Sequence, residues 1–291
     1  MPPEGVKFIS GKGTIGMKYA GTALIYSWMT ALVLALLCFG SIVARPASAD
    51  EKEIYLAIDS FTWKEFDEDG SRLLKETGPL VGFGFAYWRE SDDHFILMPS
   101  AEVFGGQVDY DGQTQTGIPV STDVGYFGMN FKFDIGRRFR PAQGFYLEPF
   151  GGLGYRFWFR DIRDSTTSTG TPVSGYTEGW SVWNARLGLR GGKEFSETSR
   201  LFVEAGMKLP LYNENTAYLS NVGLGSDVTF NPGKMVSYFA EAGVKINRFK
   251  GSLFYDGLRF SKSNTVQSGI YLYWQPKSMM DIYGLKLGVS F

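Results

Sequence analysis

The chain has 291 residues, a formal net charge of −1, 44% hydrophobic and 16% aromatic residues, 37 glycines, one histidine and one cysteine. That apolar fraction excludes a disordered chain, and the balanced charge leaves no basic footprint for nucleic acid. A single histidine and a single cysteine nearly exclude a His- or Cys-ligated zinc site, and no cofactor is expected.

The first segment reads as an export signal. Residues 22–44 are almost uncharged and mostly apolar, Lys7, Lys12 and Lys18 precede them, and Pro46-Ala47-Ser48-Ala49 follows. A basic segment, an apolar core and an Ala-x-Ala site make a secretory signal peptide, with Ala47 and Ala49 as the small residues the peptidase needs and cleavage after Ala49. Met17-Lys18 offers a more conventional start than Met1. The alternative is an uncleaved membrane anchor, since the stretch is long enough to span. Cys38 follows Leu36-Leu37 deep in the apolar core, so it is not a lipoprotein cysteine. Residues 50–291 then form one domain with no cysteine, and hence no disulfide.

Beyond residue 50 the dominant signal is period-two alternation, which marks strands. Ten are expected, at 53–66, 79–90, 94–108, 122–137, 144–161, 178–193, 199–212, 234–247, 250–274 and 279–291. In the fourth, Phe127, Met129, Phe131, Phe133 and Ile135 oppose Tyr126, Gly128, Asn130, Lys132 and Asp134. The fifth, sixth, seventh and eighth alternate likewise. A soluble sandwich would also alternate. Here, however, the polar faces mix small residues with charges of both signs, and the apolar faces are long and end in aromatics, as a lipid-facing band does. In hydrocarbon every backbone polar group needs a partner, so such a sheet must close. Short turns at 90–94, 137–143, 194–199 and 247–250 alternate with long loops at 67–78, 109–123, 161–178 and 213–233. The expected fold is therefore all-β: a closed antiparallel transmembrane β-barrel of about ten strands, with eight or twelve as alternatives. An even count with both termini on the periplasmic side decides how 250–274 is read, as one strand rather than two. Apolar parity shifts between Tyr255 and Leu258, which predicts a bulge near Asp256-Gly257. The first strand is ambiguous, because Ile54, Leu56 and Ile58 fall out of register with Phe61 and Trp63.

The chain ends Tyr283-Gly-Leu-Lys-Leu-Gly-Val-Ser-Phe291, with Tyr283, Leu285, Leu287, Val289 and Phe291 on one face. Together with the leader and the alternation, this ending resembles small Gram-negative outer-membrane barrels of the OmpA-like and OmpW-like kind, over about the whole exported chain. A terminal phenylalanine after alternating apolar residues is similar to the signal read by the barrel-assembly machinery. The resemblance implies an outer-membrane location, contact with outer-membrane lipids and that machinery as an insertion partner. In the family pattern a glycine usually stands where this chain has Lys286. The resemblance is nearly silent on activity and names no surface partner.

Candidate chemistry is sparse. Enzymes among such barrels typically use a histidine near the outer rim. His94, the only histidine, falls in an expected periplasmic turn, so the chain reads as non-enzymatic. Inward parity falls on Lys132, Asp134, Glu148, Arg156, Arg160, Arg186, Arg190, Glu204, Lys208, Glu241 and Lys245. They make either a plug of paired charges or the lining of a narrow ion- or solute-selective pore. A barrel of about ten strands is just above the size side chains can fill, which favours the plug. Arg156, Arg160, Arg186 and Arg190 are expected as a basic ladder facing Glu148, Glu204 and Glu241. Asp109-Tyr-Asp-Gly112 and Asp67-Glu-Asp-Gly70 look like the start of a calcium loop but lack the remaining ligands, so Asx-rich turns account for them. Tyr176, Trp180, Trp183, Trp63 and Phe66 are expected in an aromatic belt at the outer rim.

Overall fold

The computed structural model describes residues 50–114, 117–269 and 271–291; the leader and its cleavage site at Ala47 and Ala49 lie outside them. Ten long strands run in chain order: β1 (Glu51–Phe66), β2 (Arg72–Glu90), β3 (Phe95–Gln113), β4 (Pro119–Arg137), β5 (Phe145–Ile162), β6 (Thr177–Ser196), β7 (Ser199–Ala217), β8 (Ser237–Ile246), β9 (Phe249–Ser261) and β10 (Lys277–Ser290). Each pairs antiparallel with its sequence neighbours, and β10 returns to β1 through fourteen paired positions from Glu53↔Ser290 to Phe66↔Lys277. The barrel is therefore closed, which removes both sheet edges.

Both described chain ends and the tight turns lie at one end, here the turn end. At the other, the loop end, the strands run further than alternation alone suggests. Segments 67–78 and 109–123, expected as loops, are mostly strand: β2 starts at Arg72 and β3 runs to Gln113. Asp67 accepts the Ser71 N–H at 2.7 Å and shapes the short turn that joins β1 to β2. The longer loops carry small elements of their own. Val228–Phe230 pairs back onto β7, and a hairpin of Val266–Ser268 with Tyr271–Tyr273 stands above β9 and β10. That hairpin resolves segment 250–274: one barrel strand ending at Ser261, then a separate two-stranded excursion.

On its β8 side β9 shows a one-residue register step between Phe239↔Asp256 and Lys234↔Phe260, with the extra residue on the partner segment; on its β10 side it shows none. Its pairing with β10 is continuous from Phe249↔Val289 to Phe260↔Ser278, straight through Asp256-Gly257. What changes is the medium on either side of the wall. Near the turn end apolar side chains point out: Ile54, Leu56 and Ile58 on β1, Leu253 on β9, Leu285 and Leu287 on β10 are all exposed. Nearer the loop end they point in: Phe61 and Trp63, Leu258 and Phe260, Met280 and Ile282 are buried on the same three strands. The strand keeps its pleat while its apolar face switches side. On these three strands the turn-end half thus wears its hydrophobic surface outside, as hydrocarbon requires, and the loop-end half buries it, as water requires. The mismatch of Ile54, Leu56 and Ile58 with Phe61 and Trp63 has the same cause.

Candidate functional site: the filled lumen and the loop-end cavity

The lumen divides into three levels. The level nearest the turn end is ionic. Arg138 Nη1 lies 2.7 Å from Glu90, and Arg138 also pairs with Glu148. Arg190 bridges Glu148 (3.2 Å) and Glu204 (2.8 Å from Nε), and Arg186 bridges Asp134 (3.0 Å) and Glu204 (3.4 Å). Lys245 Nζ meets Glu51 at 2.7 Å, Lys250 meets Glu53 at 3.0 Å and Lys286 meets Glu241 at 2.9 Å. Arg156 and Lys208 share Asp256. Aromatic faces cover the guanidiniums: Arg186 sits 4.0 Å from the Phe239 ring centroid and Arg156 4.4 Å from that of Phe104. Lys132 lines both of the small cavities, of about 30 and 80 Å³, that remain at this level.

These positions show that the four arginines do not form one ladder. Arg186 and Arg190 share Glu204, while Arg156 turns to Asp256 and Arg160 to Glu76 and Glu178, because a charge this far from water needs partners at hydrogen-bonding distance. Glu241 serves Lys286 and Lys250 instead. Sequence reading missed Glu51, Glu53, Glu65, Glu76, Asp256, Lys250 and Lys286. The signal was there in β1, where odd-numbered Glu53, Glu65 and even-numbered Ile54, Leu56 keep one parity throughout. Lys286 departs from the glycine of the terminal pattern because it supplies the cation for Glu241. Its neighbours must stay small: a Cβ on Gly284 would strike the Phe254 ring, and one on Gly288 would lie 2.5 Å from Glu53 Oε1. Tyr283, Leu285, Leu287 and Phe291 face outward.

The middle level is an aromatic plug. Trp158 stacks on Trp180 at 5.2 Å and 7°, Trp63 meets Trp180 edge-on at 5.0 Å, and Phe260 lies 5.2 Å from Trp180. Trp63 and Trp180 are thus not rim anchors but core residues. Trp183 does face outward, stacked on Tyr155 at 4.4 Å.

Above the plug lies a carboxylate cluster around Arg160. Its guanidinium contacts Glu76, Glu178 (3.0 Å) and Glu65 (3.7 Å). The plug is bolted to this cluster: Trp63 Nε1 donates to Glu65 at 2.9 Å and Trp180 Nε1 to Glu178 at 3.0 Å. Tyr126 donates to Glu76. Over this floor opens a cavity of about 460 Å³, walled by Leu74, Tyr110, Tyr176, Phe230, Tyr273 and Trp274 among others. Gln275 clamps one wall, donating to Glu65 at 3.0 Å and accepting from Asn215 at 2.9 Å. Burial, helped by the nearby Glu178 carboxylate, pushes the Tyr176 hydroxyl well above its ordinary value. In the adjoining loop, hydrogen bonds from Ser220 hold the Asp227 carboxyl below the usual carboxylate range.

His94 sits at the turn end with a positive φ of 62°, its Nδ1 2.9 Å from Glu90 and 3.3 Å from Arg140. Glu90 also holds Arg138, so His94 borders the ionic level, and the loop-end cavity lies at the opposite end of the barrel. Among the described residues no three His, Cys, Asp or Glu side chains are grouped to hold a metal ion.

A closed barrel of ten strands with an apolar outer belt and a polar interior defines an outer-membrane β-barrel protein. Residues 83–255 match the autotransporter beta-domain family, and the chain belongs to that family. The barrel architecture read from the terminal pattern thus stands, while the family is that of autotransporter beta-domains rather than the OmpA-like or OmpW-like barrels. Among solved structures, the outer-membrane protease OmpT from Escherichia coli is similar at 11% identity and a TM-score of 0.55, over 85% of this chain and 99% of OmpT. The translocator domain of the autotransporter NalP from Neisseria meningitidis is similar at 14% identity and a TM-score of 0.46, over 94% of this chain and 99% of that domain. A sequence search among curated proteins gives no match.

Proposed function

We propose that this protein is a non-enzymatic, non-conducting outer-membrane barrel that uses its loop end for interaction. The observation that carries this reading is the filled cross-section at Trp63, Trp158, Trp180 and Phe260, all essentially without solvent exposure. A pore of a given selectivity needs a continuous wet path; here an ionic level with cavities of about 30 and 80 Å³ lies under a dry aromatic one. Family membership favours a second reading, in which the lumen passes a polypeptide. That reading requires the plug and the Arg160 cluster to be displaced together. A narrow channel for ions or small solutes is the third, and it needs the same opening. A lipid-modifying or proteolytic role is the weakest, because the histidine is at the turn end.

The outward Tyr283, Leu285, Leu287, Val289 and Phe291 edge suits recognition by the barrel-assembly machinery, and the apolar belt suits outer-membrane lipids. Conductance in planar bilayers tests the main reading. Purified, folded protein should insert without unitary current steps. Steady ohmic steps would overturn the sealed lumen and favour the channel.

A further inference from the structure

We infer that the loop-end cavity is a binding site for a small organic cation with an aromatic or aliphatic body. Its size, about 460 Å³, is that of a small-molecule pocket. Its walls are largely apolar and aromatic, and its floor is acidic. Three carboxylates, Glu65, Glu76 and Glu178, converge on a single guanidinium, that of Arg160. Burial raises the Glu65 carboxyl to about 7, yet Glu76 and Glu178 alone outnumber the Arg160 guanidinium, so the floor carries more negative than positive charge.

Two of those carboxylates point into the cavity with capacity to spare. Glu65 and Glu178 are more than nine-tenths buried and both line it. The contacts to Glu65 from Trp63, Gln275 and Arg160 all fall on Oε1. Those to Glu178 from Trp180 and Arg160 all fall on Oε2. Each thus keeps a second oxygen that accepts no hydrogen bond among the described residues. A carboxylate oxygen in that state, open to the cavity, favours an incoming donor, above all a charged one. Tyrosine and tryptophan faces add cation–π attraction. The cavity wall already shows this preference, since the Lys262 ammonium stands 4.8 Å from the Trp274 ring centroid. Arg163 also lines the cavity and is exposed to solvent, whereas the floor carboxylates are buried. An anion would be rejected at depth; a cation with an apolar tail fits head down.

This inference uses the sealed floor of the proposed function, but the two fail separately, one by conductance and the other by binding. The test is calorimetric titration of the full folded chain in a non-ionic detergent with three probes of one shape: naphthylethylamine, naphthylethanol and naphthylacetate. The amine is expected to bind about tenfold or more tighter than the alcohol, and the acetate weakest. In Glu65→Gln/Glu178→Gln the preference of amine over alcohol should vanish while the alcohol still binds. Because that pair also holds Arg160, folding is checked by heat-dependent gel mobility. Leu74→Trp, which fills the cavity from the β2 position paired with Glu65, should abolish binding of all three. Equal affinity for amine and alcohol, stronger binding of the acetate, or no binding by any probe would each overturn the inference. So would amine binding that survives in Leu74→Trp.

Discussion

Lys286 on β10 reaches past β9 to place its ammonium 2.9 Å from Glu241 on β8. The pair is mostly screened from water, and the Lys286 Nζ also lies 4.4 Å from the Phe254 ring centroid. Replacing Lys286 by the glycine usual at this point of the terminal pattern strands a carboxylate in the lumen. Glu241 keeps the Ser252 hydroxyl at 2.8 Å and Lys250 at 3.7 Å, so the loss is at the low end for a broken buried pair, about 2–3 kcal/mol. Urea unfolding of the refolded barrel should show it. Lys286→Met combined with Glu241→Met should recover most of the loss, because removing both charges leaves none uncompensated.

Arg160 presents the more severe case. Its loss would leave Glu65, Glu76 and Glu178 together, with no cation between them. Arg160→Met should cost about 3–5 kcal/mol. Arg160→Lys should restore only part, since a point charge on a flexible stem cannot reproduce a fork that serves three carboxylates. An unfolding midpoint for Arg160→Lys equal to that of the native chain would show that charge alone, not the planar fork, holds the cluster.

The aromatic plug predicts different outcomes for two substitutions at one residue. Trp158 is fully buried, yet its indole N–H has no hydrogen-bond partner among the described residues. Trp158→Phe therefore loses little beyond packing and should cost about 1 kcal/mol or less. Trp158→Ala removes the stacked ring and should cost about 3–5 kcal/mol. If the plug is what seals the lumen, Trp158→Ala/Trp180→Ala should give current steps in planar bilayers where the native chain gives none. A silent double variant that still shows heat-dependent gel mobility would move the seal to the ionic levels on either side.

Much of this fold could be read from the chain. Period-two alternation placed the ten strands, and the even-count rule settled the ambiguous stretch after Phe249. The lumenal charges of β4 to β8 were legible for the same reason: on those strands, at the lipid-facing height, polar residues alternate cleanly with Phe, Leu and Val. Legibility failed where the outer medium changes. Parity rules assume one wet side and one dry side per strand. Phe61, Trp63, Leu258 and Phe260 obey the pleat but face a dry interior under a wet exterior, so they resembled a register error. Glu76 was hidden because 67–78 reads as a long loop, whereas β2 starts at Arg72. Partner choice was not legible at all. Which carboxylate takes which arginine depends on strands far apart in sequence, as with Arg156 and Asp256.

The switch of medium along a single strand can be tested on β1 alone. Leu56 faces outward in the apolar belt, and Thr62 faces outward beyond it, in line with Lys64. Leu56→Arg puts a charge against hydrocarbon and should cost about 2–4 kcal/mol, depending on depth. Thr62→Arg meets water instead. It forfeits only a weak hydroxyl contact with Thr77 at 3.4 Å, so its cost should stay under about 1 kcal/mol. Both are read by unfolding from lipid vesicles, where the outer medium is a bilayer. The contrast separates two accounts of the parity change. If the whole strand lay in lipid, the two arginines would be comparably harmful. If the inversion marks the upper edge of the bilayer at β1, only Leu56→Arg is, and the loop-end cavity above the plug stands clear of the membrane on that side, open to whatever the loop end meets.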